Sequence, residues 1–438
     1  MASSDKFEAG LRLIVEAVEE TAREGRAPLD ADGMRRELER LARLRGRPAY
    51  YPYLGSGIGR GARAMLADGR WVLDFALGIG VHLFGHGDID LVATAIRAAA
   101  CDLVMQGNLV FNREYGALMD TLIRHAPAGM ENCWLALSGA DANENALKLL
   151  RQSSGGRAGV IAFQGCFHGR TSAMAEITDR PDYRKGQPPT FPVHYVPFYD
   201  RHDPHSVARS LTALRAAIRR DGERIAAFVV ELVQGEAGFV TAPRDFFVAL
   251  FEECRRCAIP IWVDEIQTFA RAGELFVTDL LGLAGYVDVI TIGKVLQGSA
   301  VLMRREFLPD PGLISGTFSG STVAMAVGRR MIERMLDGGM FGPEGREREL
   351  ERLTREHLRV LAEHHPISEV DGVGAMISFR VGDGSLEKTR TLIRRCFDAG
   401  LVLYYGGHEP ACVRLFLPAA VITDDELAEA FAILDRCL

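Results

Sequence analysis

Two strand-like runs end on residues suited to covalent chemistry. IPIWVDEIQ carries Asp264 at the end of an apolar stretch, and VDVITIGK carries Lys294 just past the next one. In an open α/β sheet the working groups gather beyond the carboxyl ends of the strands, so these exits are where chemistry is expected. A lysine directly after a buried apolar strand is desolvated, which favours the neutral, nucleophilic amine and Schiff-base formation with an aldehyde. Taken alone, Lys294 reads equally as a surface lysine in a loop, and Asp264 as the cap of a following helix. Together they form the pair that a pyridoxal-type cofactor needs. One supplies an amine for the aldehyde and the other an anion for the pyridinium nitrogen, so that the ring can act as an electron sink. A third exit, CWLALSGADANENALKLLR, sets Ser138, Gly139 and Ala140 before a helix whose first-turn N–H groups suit a phosphate, although an ordinary strand-to-helix turn looks the same.

The elements that must position these groups follow from periodicity. Residues 4–26 and 31–46 repeat apolar positions at helical spacing between charges, with a turn at Pro28 between them. From Arg47 to Asp74 the pattern changes to short, glycine-punctuated strands ending in RWVLDF. Helical stretches near 90–105, 113–126, 143–152, 203–220 and 243–258 then alternate with the β-branched runs NCWLAL, AGVIAF, IAAFVVEL, AIPIWVDE and VDVITIG. That alternation predicts a mostly parallel sheet covered by helices on both faces. Beyond about 325 come long amphipathic helices, short strands and a closing helix after Thr423, an α+β unit expected to pack with the N-terminal segment.

Composition narrows the function classes. The chain has 438 residues, 48% hydrophobic and 25% charged, enough for more than one structural unit. A net charge of −7, with no dense block of Lys and Arg, disfavours nucleic acid as a partner. The 8 cysteines are scattered in the manner of reduced thiols rather than a disulfide framework. No signal-like leader and no apolar run of about 18 residues is evident, so a cytoplasmic protein without a membrane partner is expected. GSGIGRG at 55–61 lacks the following helix of a dinucleotide site. His82 and His86 have i, i+4 spacing, but Gly85 and the missing glutamate argue against zinc, and no metal is expected. Cys254 and Cys257 lie within a predicted helix and read as packing.

Taken in order, DFALGIGVHLFGH, SGADANENALKLLR, FQGCFHGRT, VVELVQGEAGF, WVDEIQTFARAGELF, TIGK, GTFSGS and VRLFLPAAVITDDEL resemble the class-III aminotransferases from about Tyr51 onward. The resemblance implies an α/β fold of the pyridoxal-phosphate (PLP) fold type I. A large domain over 76–324 would hold a mostly parallel seven-stranded sheet, and a smaller α+β domain would come from 1–75 and 325–438. It further implies that Lys294 holds the cofactor and Asp264 pairs its ring nitrogen. Gln267 would meet the phenolic oxygen, Phe167 would stack on the ring with His168 beside it, and Glu231 would also line the site. Ser138, Gly139 and Ala140 would cradle the phosphate, and Thr317 would reach the phosphate of a neighbouring subunit, so a homodimer with shared active sites is implied. Arg414 matches the position that grips the α-carboxylate of glutamate or 2-oxoglutarate, and Glu236 the residue that pairs with it when an ω-amine enters. Arg170 matches the distal-carboxylate arginine of the 4-aminobutyrate and acetylornithine branches, and Ile79 agrees with those branches rather than with the ornithine one. The implied activity is ping-pong amino transfer from an ω-amino acid to a 2-oxo acid such as 2-oxoglutarate.

Four departures touch the site. Leu232 replaces the usual proline after Glu231, QTFARAGELF is one residue short, KVLQGSAVLM lacks most of the usual glycine-rich segment, and Ser321-Thr322 stands where Asn-Pro is common. They leave open an aminomutase, epimerase or decarboxylase of the same fold, or a homologue that binds PLP without turnover.

Overall fold

The computed structural model describes residues 5–25, 27–103 and 109–438. The chain divides into two units. The larger runs Asp102–Glu349 with Asp371–Met376; the smaller comprises the described part of the first 101 residues with Leu350–Val370 and Ile377–Leu438, and so draws on both chain ends.

The larger unit is built on seven strands: β1 (Asn132–Ala136), β2 (Gly159–Phe163), β3 (Val193–Val196), β4 (Ile225–Val230), β5 (Ile261–Glu265), β6 (Val289–Ile292) and β7 (Ser299–Met303), in spatial order β1-β7-β6-β5-β4-β2-β3. Strands β2, β4, β5 and β6 are buried along their whole length, as continuous β-branched runs require when helices cover both faces. β7 is antiparallel to β6 and to β1, the one departure from parallel pairing. Only residues 293–298 join β6 to β7, too few for a crossover, so the chain turns back as a hairpin. Lys294 sits in that hairpin. Neither β3 nor β7 is foreseen by the sequence periodicity.

The helix Gly139–Ser153 lies on the sheet, with Ala142, Ala146, Leu147, Leu149 and Leu150 in one buried cluster with Val160, Trp262, Val289 and Val301. It begins four residues earlier than the periodicity indicates, because Ser138 caps it. The helix expected near 90–105 ends at Ala99, and positions 104 and 105 lie outside the described residues, as do 4 and 26 of the first predicted helix.

In the smaller unit, Gly55–Arg60, Arg63–Leu66, Trp71–Asp74 and Leu401–Val402 form one sheet. GSGIGRG is thus mainly strand. Ala411–Phe416 pairs antiparallel with Tyr404–Gly407, Arg414 lying opposite Tyr404. The closing helix Asp424–Cys437 starts in a capping box between Thr423 and Glu426. Among the described residues no helix is long and apolar enough to cross a membrane.

Candidate active site

Strands β5 and β6 run side by side with Asp264 opposite Thr291 and Glu265 opposite Ile292, so Lys294 leaves the sheet beside the exit that carries Asp264. Asp264 is 6% exposed and held from two sides. Its Oδ2 accepts from Asn143 Nδ2 and from His168 Nδ1, each at 2.8 Å, while Oδ1 accepts from the Ile266 amide at 3.0 Å. His168 is buried. Burial works against its charge, but the Cys166 sulfur and the Asp264 carboxylate outweigh it and hold the imidazole well above its ordinary range, in keeping with Nδ1 as donor.

Glu231 follows β4. Its Oε2 accepts from the Phe167 amide at 2.9 Å and its Oε1 from the Gly235 amide at 3.1 Å. Burial pushes this carboxyl up to about 7, partly offset by His168. A carboxyl whose folded pKa is raised contributes stability that is fully present below its unfolded value and is lost as pH rises through about 7. Glu231→Gln is therefore expected to gain stability relative to the native chain between pH 5 and 8, by an amount on the order of 3 kcal/mol at most. Thermal unfolding across that range checks it, and a gap independent of pH would contradict the assignment.

Phe167 is half-buried, its ring edge-on to Tyr183 at 6.1 Å, and the exposed Arg170 places its guanidinium 4.0 Å over the Tyr183 ring. Ser138 Oγ accepts from the Asp141 amide at 3.3 Å, which leaves the first-turn amides of Gly139 and Ala140 without intrahelical acceptors. A Cβ at Gly139 would stand 2.8 Å from Ile266, so this helix start is pressed against the β5 exit. Beside it, Gln267 Oε1 is buried and has no partner among the described residues, and a Cβ at Gly235 would stand 2.0 Å from it.

Lys294 is half-buried with φ 51°, a left-handed conformation that costs a lysine about 1–2 kcal/mol and is typical of strained functional positions. The shortened run after Gln267 is closed by Glu265, a residue the sequence reading passes over. Its carboxylate accepts from the amides of Val277 and Thr278 at 2.7 and 2.8 Å and from two threonine hydroxyls. Asn143 is the other residue missed. An asparagine on the sheet-facing side of a helix, amid alanines and leucines, was the available signal.

The larger unit thus gathers Asp264, His168, Phe167, Glu231, Gln267, Lys294 and the Ser138–Ala140 turn around the ends of β4, β5 and β6. Thr317 is exposed in a separate turn, and Arg170 and Glu236 also belong to this unit. Ile79 and Arg414 belong to the smaller one. Ile79 has φ 62°, and Arg414 is fully buried, its guanidinium 5.6 Å from the Tyr404 ring and 5.7 Å from the Phe416 ring.

A family model described as aminotransferase class-III matches residues 56–438. A 2-aminoadipate transaminase of Pseudomonas putida is 34% identical, covering 87% of this chain and 94% of its own. An acetylornithine aminotransferase of Caldanaerobacter subterraneus is 29% identical, covering 87% and 93%. A crystal structure of a Bacillus anthracis aminotransferase superposes with a TM-score of 0.82 at 20% identity, covering 93% of this chain and 99% of that one.

Proposed function

The chain belongs to the class-III aminotransferases, transaminases whose cofactor is pyridoxal phosphate, and we propose that it moves an amino group from an ω-amino acid or related carboxylate-bearing amine to 2-oxoglutarate. The observation that carries this reading is the threefold-donated carboxylate of Asp264 beside the strand exit of Lys294.

The residues present fit the cofactor. The unpartnered Gln267 amide oxygen leaves a polar end for a ring substituent, the Ser138–Ala140 turn offers amides to a phosphate, and Phe167 supplies an aromatic face. Bound there, the cofactor supplies an electron sink for the pair left on a substrate carbon that loses its proton. Lys294 would hold the cofactor aldehyde, and its ε-amine would then carry that proton as general acid and base. Asp264 would face the ring nitrogen, with His168 and Glu231 supporting the site. Donor product leaves before acceptor enters, so initial-rate plots should be parallel.

Thr317 would reach the phosphate of a second subunit in a homodimer. In support, Phe318 is 61% exposed and Phe111 68% exposed, while Asn112 Nδ2 donates to Thr322 Oγ1 at 3.0 Å and brings their segments side by side. Reduced cysteines are in keeping with a cytoplasmic setting.

For the substrates, Arg414 would grip the α-carboxylate of the oxo acid, Glu236 would oppose it when an ω-amine enters, Arg170 would hold a distal carboxylate, and Ile79 would line the pocket. Arg414→Lys keeps the charge but loses the bidentate fork. It is expected to slow the half-reaction with 2-oxoglutarate by about tenfold or more while leaving that with an ω-amine donor such as 4-aminobutyrate within about threefold, given charge-assisted hydrogen bonds of about 1.5–3 kcal/mol. Single-turnover rates for each half-reaction, measured across a panel of donors, test this. Equal losses in both would remove Arg414 from the acceptor site, and failure of every donor to transfer to any oxo acid would overturn the aminotransferase reading of this chain.

A further inference from the structure

The amide of Asn143 has no part in the roles assigned so far, yet it is the side chain that joins three segments of the site. It is fully buried, and its Nδ2 donates to His168 O at 2.7 Å and to Asp264 Oδ2 at 2.8 Å. Its helix begins at the Ser138–Ala140 turn, so one side chain ties the phosphate turn, the segment carrying Phe167 and the carboxylate at the end of β5.

We propose that Asn143 is a positioning residue for amino transfer, fixing the orientation of the Asp264 carboxylate and its distance from the phosphate turn so that both ends of the cofactor are met at once. The inference rests on the reading that Asp264 faces the ring nitrogen.

Three observations support it. Asparagine is a poor residue for a helix interior, and this position faces a buried cluster in which Ala142, Ala146 and Leu147 already pack, so packing alone would favour an apolar side chain. The amide orientation is forced, since both neighbours are acceptors and only the –NH₂ end can serve them. Oδ1 is left buried with no partner among the described residues, a penalty that is accepted in favour of the two donations. Without Asn143, the carboxylate would keep the Ile266 amide on Oδ1 and His168 Nδ1 on Oδ2, but Oδ2 would lose the one donor that comes from the helix of the phosphate turn.

The test is a double-mutant cycle on the full chain, reading the dissociation constant for PLP by absorbance titration, turnover under saturating PLP, and thermal unfolding of the cofactor-free protein. Asn143→Leu, of similar volume, is expected to weaken PLP binding by about tenfold or more and to lower turnover, with little change in the cofactor-free unfolding temperature. On an Asp264→Ala background the same substitution should change PLP affinity and turnover by no more than about twofold, because nothing remains to be positioned. Asn143→Ala, which adds no bulk, repeats the cycle should the leucine variant fold poorly. Wild-type affinity and turnover in the Asn143 variants, with Asp264→Ala impaired, would overturn this proposal alone. An equal loss on both backgrounds would also overturn it, by making Asn143 a packing residue. If Asp264→Ala itself binds PLP and turns over normally, the underlying assignment of Asp264 fails, and this proposal with it.

Discussion

Lys294→Ala is expected to lose amino transfer by a factor on the order of 10³ or more while still folding and still binding PLP reversibly. Two functions depend on the same ε-amine, the covalent hold on the cofactor and the transfer of a proton at the substrate carbon, and general acid–base catalysis alone contributes about 10²–10⁴. Binding should survive because the groups that would meet the ring and the phosphate stand on other segments: Asp264 and Gln267 at the end of β5, Phe167 after β2, and Ser138–Ala140 after β1. Folding should survive because alanine removes no buried apolar anchor, the lysine being half-buried in a hairpin. The backbone beside it is less forgiving. A Cβ at Gly293 would stand 2.6 Å from Ser299 Oγ, so a side chain just before the lysine would have to displace that buried hydroxyl. Borohydride reduction followed by peptide mass analysis tests the assignment directly. Wild-type protein should carry the reduced cofactor on Lys294 and the variant on no lysine, and a variant that retains turnover would put the chemistry elsewhere.

The strand exits were legible because fully buried parallel strands write themselves as short unbroken apolar runs, as in Ile225–Val230 and in the first three residues of Ile261–Glu265. The hairpin strand Ser299–Met303 was not, since SAVLM is as apolar as a buried helix segment of that length and only the shortness of the preceding turn separates the two. Residues with chemistry of their own, Lys294 and Asp264, announce themselves by type and place. Residues that act through others do not. Glu265 and Asn143 are polar groups inside apolar elements, and their partners, Thr278 and His168, are 13 and 25 positions away. The short QTFARAGELF run is a similar case. What a longer loop would have spanned is closed by a tight turn, Ala270 N donating to Leu275 O at 2.9 Å with Ala270 at φ 58°, and by the Gly273 amide donating to the buried Glu347 at 2.6 Å. The loop after Gln267 is thus closed by its own contacts, and the hold on Asp264 is intact beside it.

Asp264→Asn is expected to lower turnover by about 10²–10³, the usual scale for removing one preorganised electrostatic contact from a reacting centre. The substitution alters more than one charge. Three donors converge on the native carboxylate, Asn143 Nδ2, His168 Nδ1 and the Ile266 amide, and a carboxamide must turn its own –NH₂ toward one set of them. It also removes one of the two groups, beside the Cys166 sulfur, that oppose the burial of His168, so the imidazole should fall from its raised position. The sign of the stability effect follows. A histidine whose folded pKa is raised contributes stability that is fully present below its unfolded value of about 6.5 and is lost as pH rises through the folded value. The native chain should therefore exceed Asp264→Asn in stability most at pH 6 and below, and the gap should narrow in the alkaline range. Unfolding of the cofactor-free proteins from pH 5.5 to 9, with the His168 ring titration followed by NMR, reads both effects. A gap that widens with pH, or a His168 that keeps its proton in the variant, would mean that Asp264 does not set the charge of the site and that its role in turnover must rest on geometry alone.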